Sequence, residues 1–141
     1  MILLDTSILS VAFRRRRKGE PEPPEVADLR RMVEEDKPFA VPGIVLQELL
    51  SGVRTQAEFA RLRTLMEGFP LILAGRADHF SAARIANACA RKGVSTSTVD
   101  CLIAALAILR KASLFTVDDD FVRMAPHCGL SLLRRSVRPG H

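Results

Sequence analysis

Two rhythms of apolar and polar positions alternate along this chain. Short apolar runs occur at 2–4 (ILL), 38–42 (PFAVP), 71–73 (LIL), 113–117 (SLFTV) and 130–133 (LSLL). They have the length of strands, and prolines bound the second where a strand end tolerates them. Between them lie segments with helical spacing. One spans 6–13, and one spans 26–35 with Leu29, Met32 and Val33 on one face. A third runs over 43–54. A fourth starts at Thr55, where Glu58 completes a capping-box pattern, carries the stripe Phe59, Leu62, Leu65 and Met66, and stops at Gly68. A fifth covers 78–91 through Phe80, Ala83, Ile85, Ala88 and Cys89, with Gly93 as its stop. The Ser/Thr run 95–98 caps a strongly apolar helix over 99–109, and a short helix is expected at 120–124. The segment RRRRKGEPEPP (14–24) breaks the pattern and is expected to be a loop, in part disordered.

Strands alternating with helices predict an α/β fold with a parallel sheet covered on both faces. In such sheets ligands bind beyond the carboxyl ends of the strands, where the strand order reverses. The residues immediately after the strands are therefore the ones to inspect. Asp5 follows the first strand and Asp118 the fourth.

Composition narrows the picture. A chain of 141 residues fits one domain, 1–141, and 48% hydrophobic with 26% charged residues is an ordinary globular balance. The core must be aliphatic with seven Phe, because Trp and Tyr are absent. The net charge of +5 favours a polyanionic partner without naming it. Three cysteines without CxxC spacing (Cys89, Cys101, Cys128) read as reduced packing residues, which suits a cytoplasmic protein. The opening MILLD reaches an acid at residue 5, so no secretory leader is expected. No apolar run approaches the ~18 residues of a membrane span.

Four acids stand in apolar surroundings. Asp5 opens DTS directly after a strand, where an N-cap is the plain explanation. Glu48 shares a helix side with Val45, Leu49 and Gly52, and either reaches water at the helix edge or needs a partner. Asp100 is the only charged residue between Lys92 and Arg110, in the first turn of a core helix that already has Ser and Thr caps. Asp118 ends a strand, where an Asx turn would explain it. If the first and fourth strands are neighbours, Asp5 and Asp118 emerge side by side, and Glu48 and Asp100 can converge on them. Carboxylates sharing a pocket need a cation, and an all-oxygen set suits Mg²⁺ or Mn²⁺. His79, His127 and His141 are scattered and lack zinc-ligand spacing.

The segments ILLDTSIL, VPGIVLQELLSG, STVDCLIAALA and LFTVDDDF resemble, in order and spacing, the four acidic motifs of PIN domains. The likeness is greatest to the VapC-type ribonuclease toxins of VapBC toxin–antitoxin modules. It implies a Rossmann-like three-layer fold with a parallel five-stranded sheet in order 3-2-1-4-5. It also implies an endoribonuclease using one or two Mg²⁺ or Mn²⁺ ions and metal-activated water, commonly dimeric and inhibited by a VapB-type antitoxin. Carried over by position, Asp5, Glu48, Asp100 and Asp118 form the acidic quartet, while Thr6 or Ser7 and Thr116 match hydroxyl positions near the metal. The run Asp118–Asp120 leaves a possible fifth acid: Asp120 either reaches the ion or caps the short helix, Asp119 faces solvent, and Phe121 packs inward.

RNA would meet these acids only through the metal, with cations on the rim holding its phosphates. Candidates are Arg14, Arg15, Arg16, Arg17 and Lys18, for which a solvated loop is the rival reading. Arg134, Arg135 and Arg138 are further candidates, in a stretch (134–141) that equally reads as a frayed tail. Two other functions stay open: a PIN-type nuclease of RNA maturation or decay outside a toxin pair, and a catalytically silent domain that binds RNA or protein. A phosphatase with Asp5 as nucleophile is disfavoured, because Ser7 stands where its second acid belongs. Neither the RNA cleaved nor the cleavage site is legible.

Overall fold

Leu3 and Leu4 are fully buried because their strand, β1 (Ile2–Leu4), is paired on both sides. The computed structural model describes residues 1–133. β1 runs parallel to β2 (Phe39–Pro42), with Ile2 opposite Phe39, and to β4 (Ser113–Phe115), with Leu3 opposite Leu114. β3 (Leu71–Ile72) extends the sheet beyond β2, and β5 (Ser131–Leu132) extends it beyond β4. The order is 3-2-1-4-5 with every pairing parallel. The chain moves outward from β1 in one direction, then returns to the other side of it, so the reversal of strand order falls between β1 and β4.

Seven helices flank the sheet: α1 (Thr6–Phe13), α2 (Pro24–Glu34), α3 (Gly43–Leu50), α4 (Gln56–Met66), α5 (Arg76–Arg91), α6 (Thr98–Leu109) and α7 (Asp119–Cys128). α1 packs on α2 and α3, while α5 packs on α6 and α7. α6 is the core helix its composition predicts: Cys101, Ile103, Ala104, Ala105, Leu106 and Ala107 are all buried. Its alanines let backbones approach, and Ile103 and Leu106 each contribute about 1.5–3 kcal/mol by leaving water. Cys89 and Cys101 are buried free thiols, and Cys128 is a half-buried one. Among the described residues, no helix is long and apolar enough to cross a membrane.

Several expected boundaries move, each for a local reason. The fourth strand ends at Phe115 rather than Val117. Thr116 and Val117 leave the ladder for side-chain partners, described below. The third helix stops at Leu50 rather than residue 54: Ser51 takes an extended backbone, ψ 134°, while its amide and hydroxyl close on the Gln47 carbonyl. Gly52 then takes a left-handed φ of 81°. The last helix reaches Cys128 instead of 124, and Gly129, at φ 78°, ends it by donating to Ala125 O. Segment 14–23 is a loop closed by its own bonds, Pro24 already beginning α2: Arg14 pairs with Glu20 at 2.9 Å, and the Arg17 amide donates to Glu20 at 3.1 Å.

Some expected apolar faces are also corrected. Val33, Phe59, Leu65 and Phe80 are exposed. The buried line of α5 is Asp78, Ala82, Ile85 and Cys89, rotated away from Phe80 because a buried acid joins the core side. Asp78 is 5% exposed and accepts both guanidinium nitrogens of Arg110 from the end of α6, at 2.8 and 3.2 Å. That pair holds the Asp78 carboxyl below its ordinary range, against the opposing effect of burial.

Candidate metal centre

Asp5 leaves β1 and opens α1. Its carboxylate accepts the Ser7 amide at 3.4 Å, so the plain capping role holds. The same oxygen, Oδ2, also accepts the Ser7 hydroxyl at 2.8 Å and the Thr116 hydroxyl at 2.8 Å. All three bonds fall on Oδ2 and none on Oδ1. The Asp5 amide donates to Phe115 O at 3.1 Å, which sets the ends of β1 and β4 side by side. The Val117 amide donates to Ser7 Oγ at 3.1 Å and the Asp118 amide to Thr116 Oγ1 at 3.0 Å. Two hydroxyls thus replace the ladder beyond Phe115 and hold the Val117 and Asp118 backbone beside the start of α1.

Asp118 caps α7 by accepting the Asp120 amide at 2.9 Å. Asp100 enters from the first turn of α6, where Ser97 is the cap and accepts the Asp100 amide at 3.0 Å. Asp100, Asp118 and Asp120 each offer a carboxylate oxygen within 4.8 Å of the others. Burial pushes the Asp100 carboxyl up to about 6; a hydrogen bond from Ser97 opposes this, and repulsion from Asp118, Asp5 and Asp120 adds to it. Asp119 is exposed and Phe121 is fully buried.

Glu48 is placed differently. It is exposed on α3 and outside the 4.8 Å group, and Thr6 Oγ1, next to Asp5, donates to it at 2.8 Å. The geometry therefore gathers Asp100, Asp118 and Asp120, sets Asp5 within electrostatic reach of Asp100, and holds Glu48 one hydroxyl away.

The donor set fits a hard divalent cation. It is carboxylate oxygen throughout, with no imidazole or thiolate among the clustered side chains. Asp5 has one carboxylate oxygen held in place by two hydroxyls and an amide. Asp118, Asp5 and Asp120 all repel a charged Asp100, and a bound cation would relieve that repulsion.

The PIN domain family model matches residues 2–126. The chain belongs to the PIN domain family. Solved structures of similar fold include a FitAcB structure from Neisseria gonorrhoeae, with 21% identity over 95% of this chain and 97% of that one, at a TM-score of 0.74. VapBC2 from Rickettsia felis, bound to a DNA fragment from its promoter, has 22% identity over 96% and 100%, at a TM-score of 0.75. VapBC-5 from Mycobacterium tuberculosis, a member of the VapBC family of toxin–antitoxin systems, has 20% identity over 94% and 96%, at 0.66.

The basic run of this PIN domain lies at the far end of α1 from Asp5, about 12 Å away for eight helical residues. Arg14 is paired with Glu20, and Arg15 with Glu58 at 3.7 Å. Arg16, Arg17 and Lys18 are exposed. Arg134, Arg135 and Arg138 lie outside the described residues. Two residues beside the acids escaped the sequence reading. Ser97 was legible only as one of four possible caps, and Arg123, which pairs with Asp120, had the signal of i,i+3 spacing.

Proposed function

We propose that this PIN domain is a Mg²⁺- or Mn²⁺-dependent endoribonuclease, the toxin of a VapBC-type pair. The observation that carries the reading is the meeting of Asp100, Asp118 and Asp120 within 4.8 Å, beside Asp5, at the reversal point of the sheet. Asp5, Asp100 and Asp118 would hold the cation, with Asp120 the nearest additional ligand and Glu48 reaching in beside Thr6. The ion, when bound, would supply Lewis-acid stabilisation of charge on the phosphoryl group and activation of water for in-line attack. The protein's own part is positional. Ser7 and Thr116 fix Asp5, Thr116 also fixes the Asp118 backbone, and Thr6 orients Glu48. Half-buried Asp100 stands among other acids that repel its charge, which supports a cation there.

The substrate class follows from the net charge of +5 and from family membership, and rim cations hold the backbone phosphates. The similar fold of VapBC structures supports a VapB-type antitoxin as partner, and a homodimer is what the family resemblance implies. Mapping cleavage sites across total cellular RNA with Mg²⁺ or Mn²⁺ tests the reading, with Asp100→Asn as control. Cleavage by the folded variant at the wild-type rate would overturn it. A second reading, a catalytically silent binding domain, draws on the capping roles of Asp5 and Asp118. The same experiment separates the two.

A further inference from the structure

Beside the carboxylate cluster opens a cavity of about 610 Å³, walled by the 93–97 loop on one side and by Asp120 and Arg123 of α7 on the other. We propose that this cavity receives a backbone phosphate of the RNA next to the one cleaved, with Arg123 as its anchor and the hydroxyls of Ser95 and Thr96 as further donors. The inference rests on the endoribonuclease reading and assigns it a substrate subsite.

The lining chooses phosphate over base. It contains a guanidinium, three hydroxyl side chains and no aromatic ring on which a base would stack. Gly93, at φ 75°, turns the loop out of α5 toward α6. Ser97 is occupied as the α6 cap, and the Thr96 oxygen accepts the Cys101 thiol at 3.2 Å, which leaves the Thr96 O–H to donate outward. Ser95 is exposed.

Arg123 now pairs with Asp120, and both side chains are more than half exposed, at 61% and 51%. Exposed pairs of this kind are weakly held. Among the described residues, Asp120 is also the only acid lining the cavity and one of the three clustered carboxylates. A cation in the cluster would draw Asp120 away, releasing the guanidinium and removing the charge that repels an anion. Phosphate capture by Arg123 is therefore coupled to cation binding.

The test uses short single-stranded RNA carrying one neutral methylphosphonate at each linkage in turn. Binding is read by fluorescence anisotropy in Ca²⁺, with RNA integrity checked on gels. For the wild type, neutralising one linkage should weaken binding about tenfold in the presence of the cation, a typical effect for a hydrogen bond to charge. For Arg123→Ala, that linkage should no longer matter while others keep their effects. The slope of log affinity against log salt should fall by about 0.7, one single-strand phosphate contact. Arg123→Lys should keep the slope and recover part of the affinity. If every linkage weakens Arg123→Ala as it does the wild type, or if the slope is unchanged, the subsite is wrong. Cleavage in Mg²⁺ is scored separately. RNA bound in the expected pattern but left uncut would sink the nuclease reading and keep the subsite, whereas cutting with no Arg123-dependent linkage would do the reverse.

Discussion

Thr116 donates a 2.8 Å hydrogen bond to Asp5 across 111 residues of chain, and through it the ends of two neighbouring strands share one carboxylate. The bond fixes an oxygen of the buried acid and simultaneously presents Thr116 Oγ1 to the Asp118 amide. Thr116→Val keeps the shape and removes both. We expect a loss of about 1–2 kcal/mol in urea unfolding, the usual cost of stranding buried polar groups. Cation affinity should fall about 10–100-fold, as for lost supporting partners of a ligand. Thr116→Ser should restore most of both, which a purely apolar packing role for Thr116 would not allow.

The three consecutive aspartates separate by role. Asp118→Asn retains the cap on α7 yet removes a charge from the cluster, so the protein should fold normally and lose about 100-fold or more in RNA cleavage, equivalent to roughly 2.7 kcal/mol. Asp119 is exposed and outside the cluster, and Asp119→Asn should cleave within about twofold of wild type. Equal losses in initial-rate assays would contradict this division.

Cation binding should be visible without any substrate. A ligand at 100 times its dissociation constant stabilises a folded protein by about 2.7 kcal/mol. Mg²⁺ or Mn²⁺ should raise the melting temperature by several degrees and EDTA should reverse it. Asp100→Asn removes one of three crowded negative charges. It should melt higher than wild type in EDTA and gain little from added Mg²⁺. A variant that melts lower in EDTA yet responds fully to Mg²⁺ would place Asp100 outside the site.

Asp78 and Arg110 supply the pH-dependent part of stability far from the acids. The Asp78 carboxyl is held below its ordinary value of 3.8, chiefly by Arg110. A carboxyl depressed by folding stabilises fully above its unfolded value, and that contribution is lost as pH falls through the folded one. Asp78→Asn should therefore be less stable than wild type by a constant amount above pH about 5, and the gap should close below pH about 4. At neutral pH we expect about 2–3 kcal/mol, less than for a fully buried pair because Arg110 is 28% exposed. Chemical unfolding across pH reads it directly.

What the sequence disclosed was set by local chemistry. Strand runs such as ILL announce themselves by composition, and parallel pairing follows from their alternation with helices. The neighbouring of β1 and β4 was anticipated, and it brings the residues that follow both strands to one edge of the sheet. The faces of α2, α4 and α5 were not, since Val33, Phe59 and Phe80 satisfy an apolar spacing but lie on the open side. On α5 the deciding residue is a buried acid whose partner, Arg110, stands 32 residues away, a relation no periodicity contains. The end of β4 was misjudged for the same reason: the Thr116 and Ser7 hydroxyls that replace its ladder come together only in three dimensions. Asp120 moved from doubtful to clustered, while Glu48 moved from equal partner to one held at a hydroxyl's distance.

Two of the clustered or adjoining acids, Asp5 and Asp118, also start helices, whereas Asp100 leaves that duty to Ser97. In a descendant relieved of catalysis, folding alone would continue to conserve the first two, because each still begins a helix. Asp100 would have no such protection: uncountered, its charge is a burden on the fold. On the nuclease reading proposed above, decay into a mere scaffold should therefore leave its earliest mark at position 100, where an aspartate is the residue least explained by architecture.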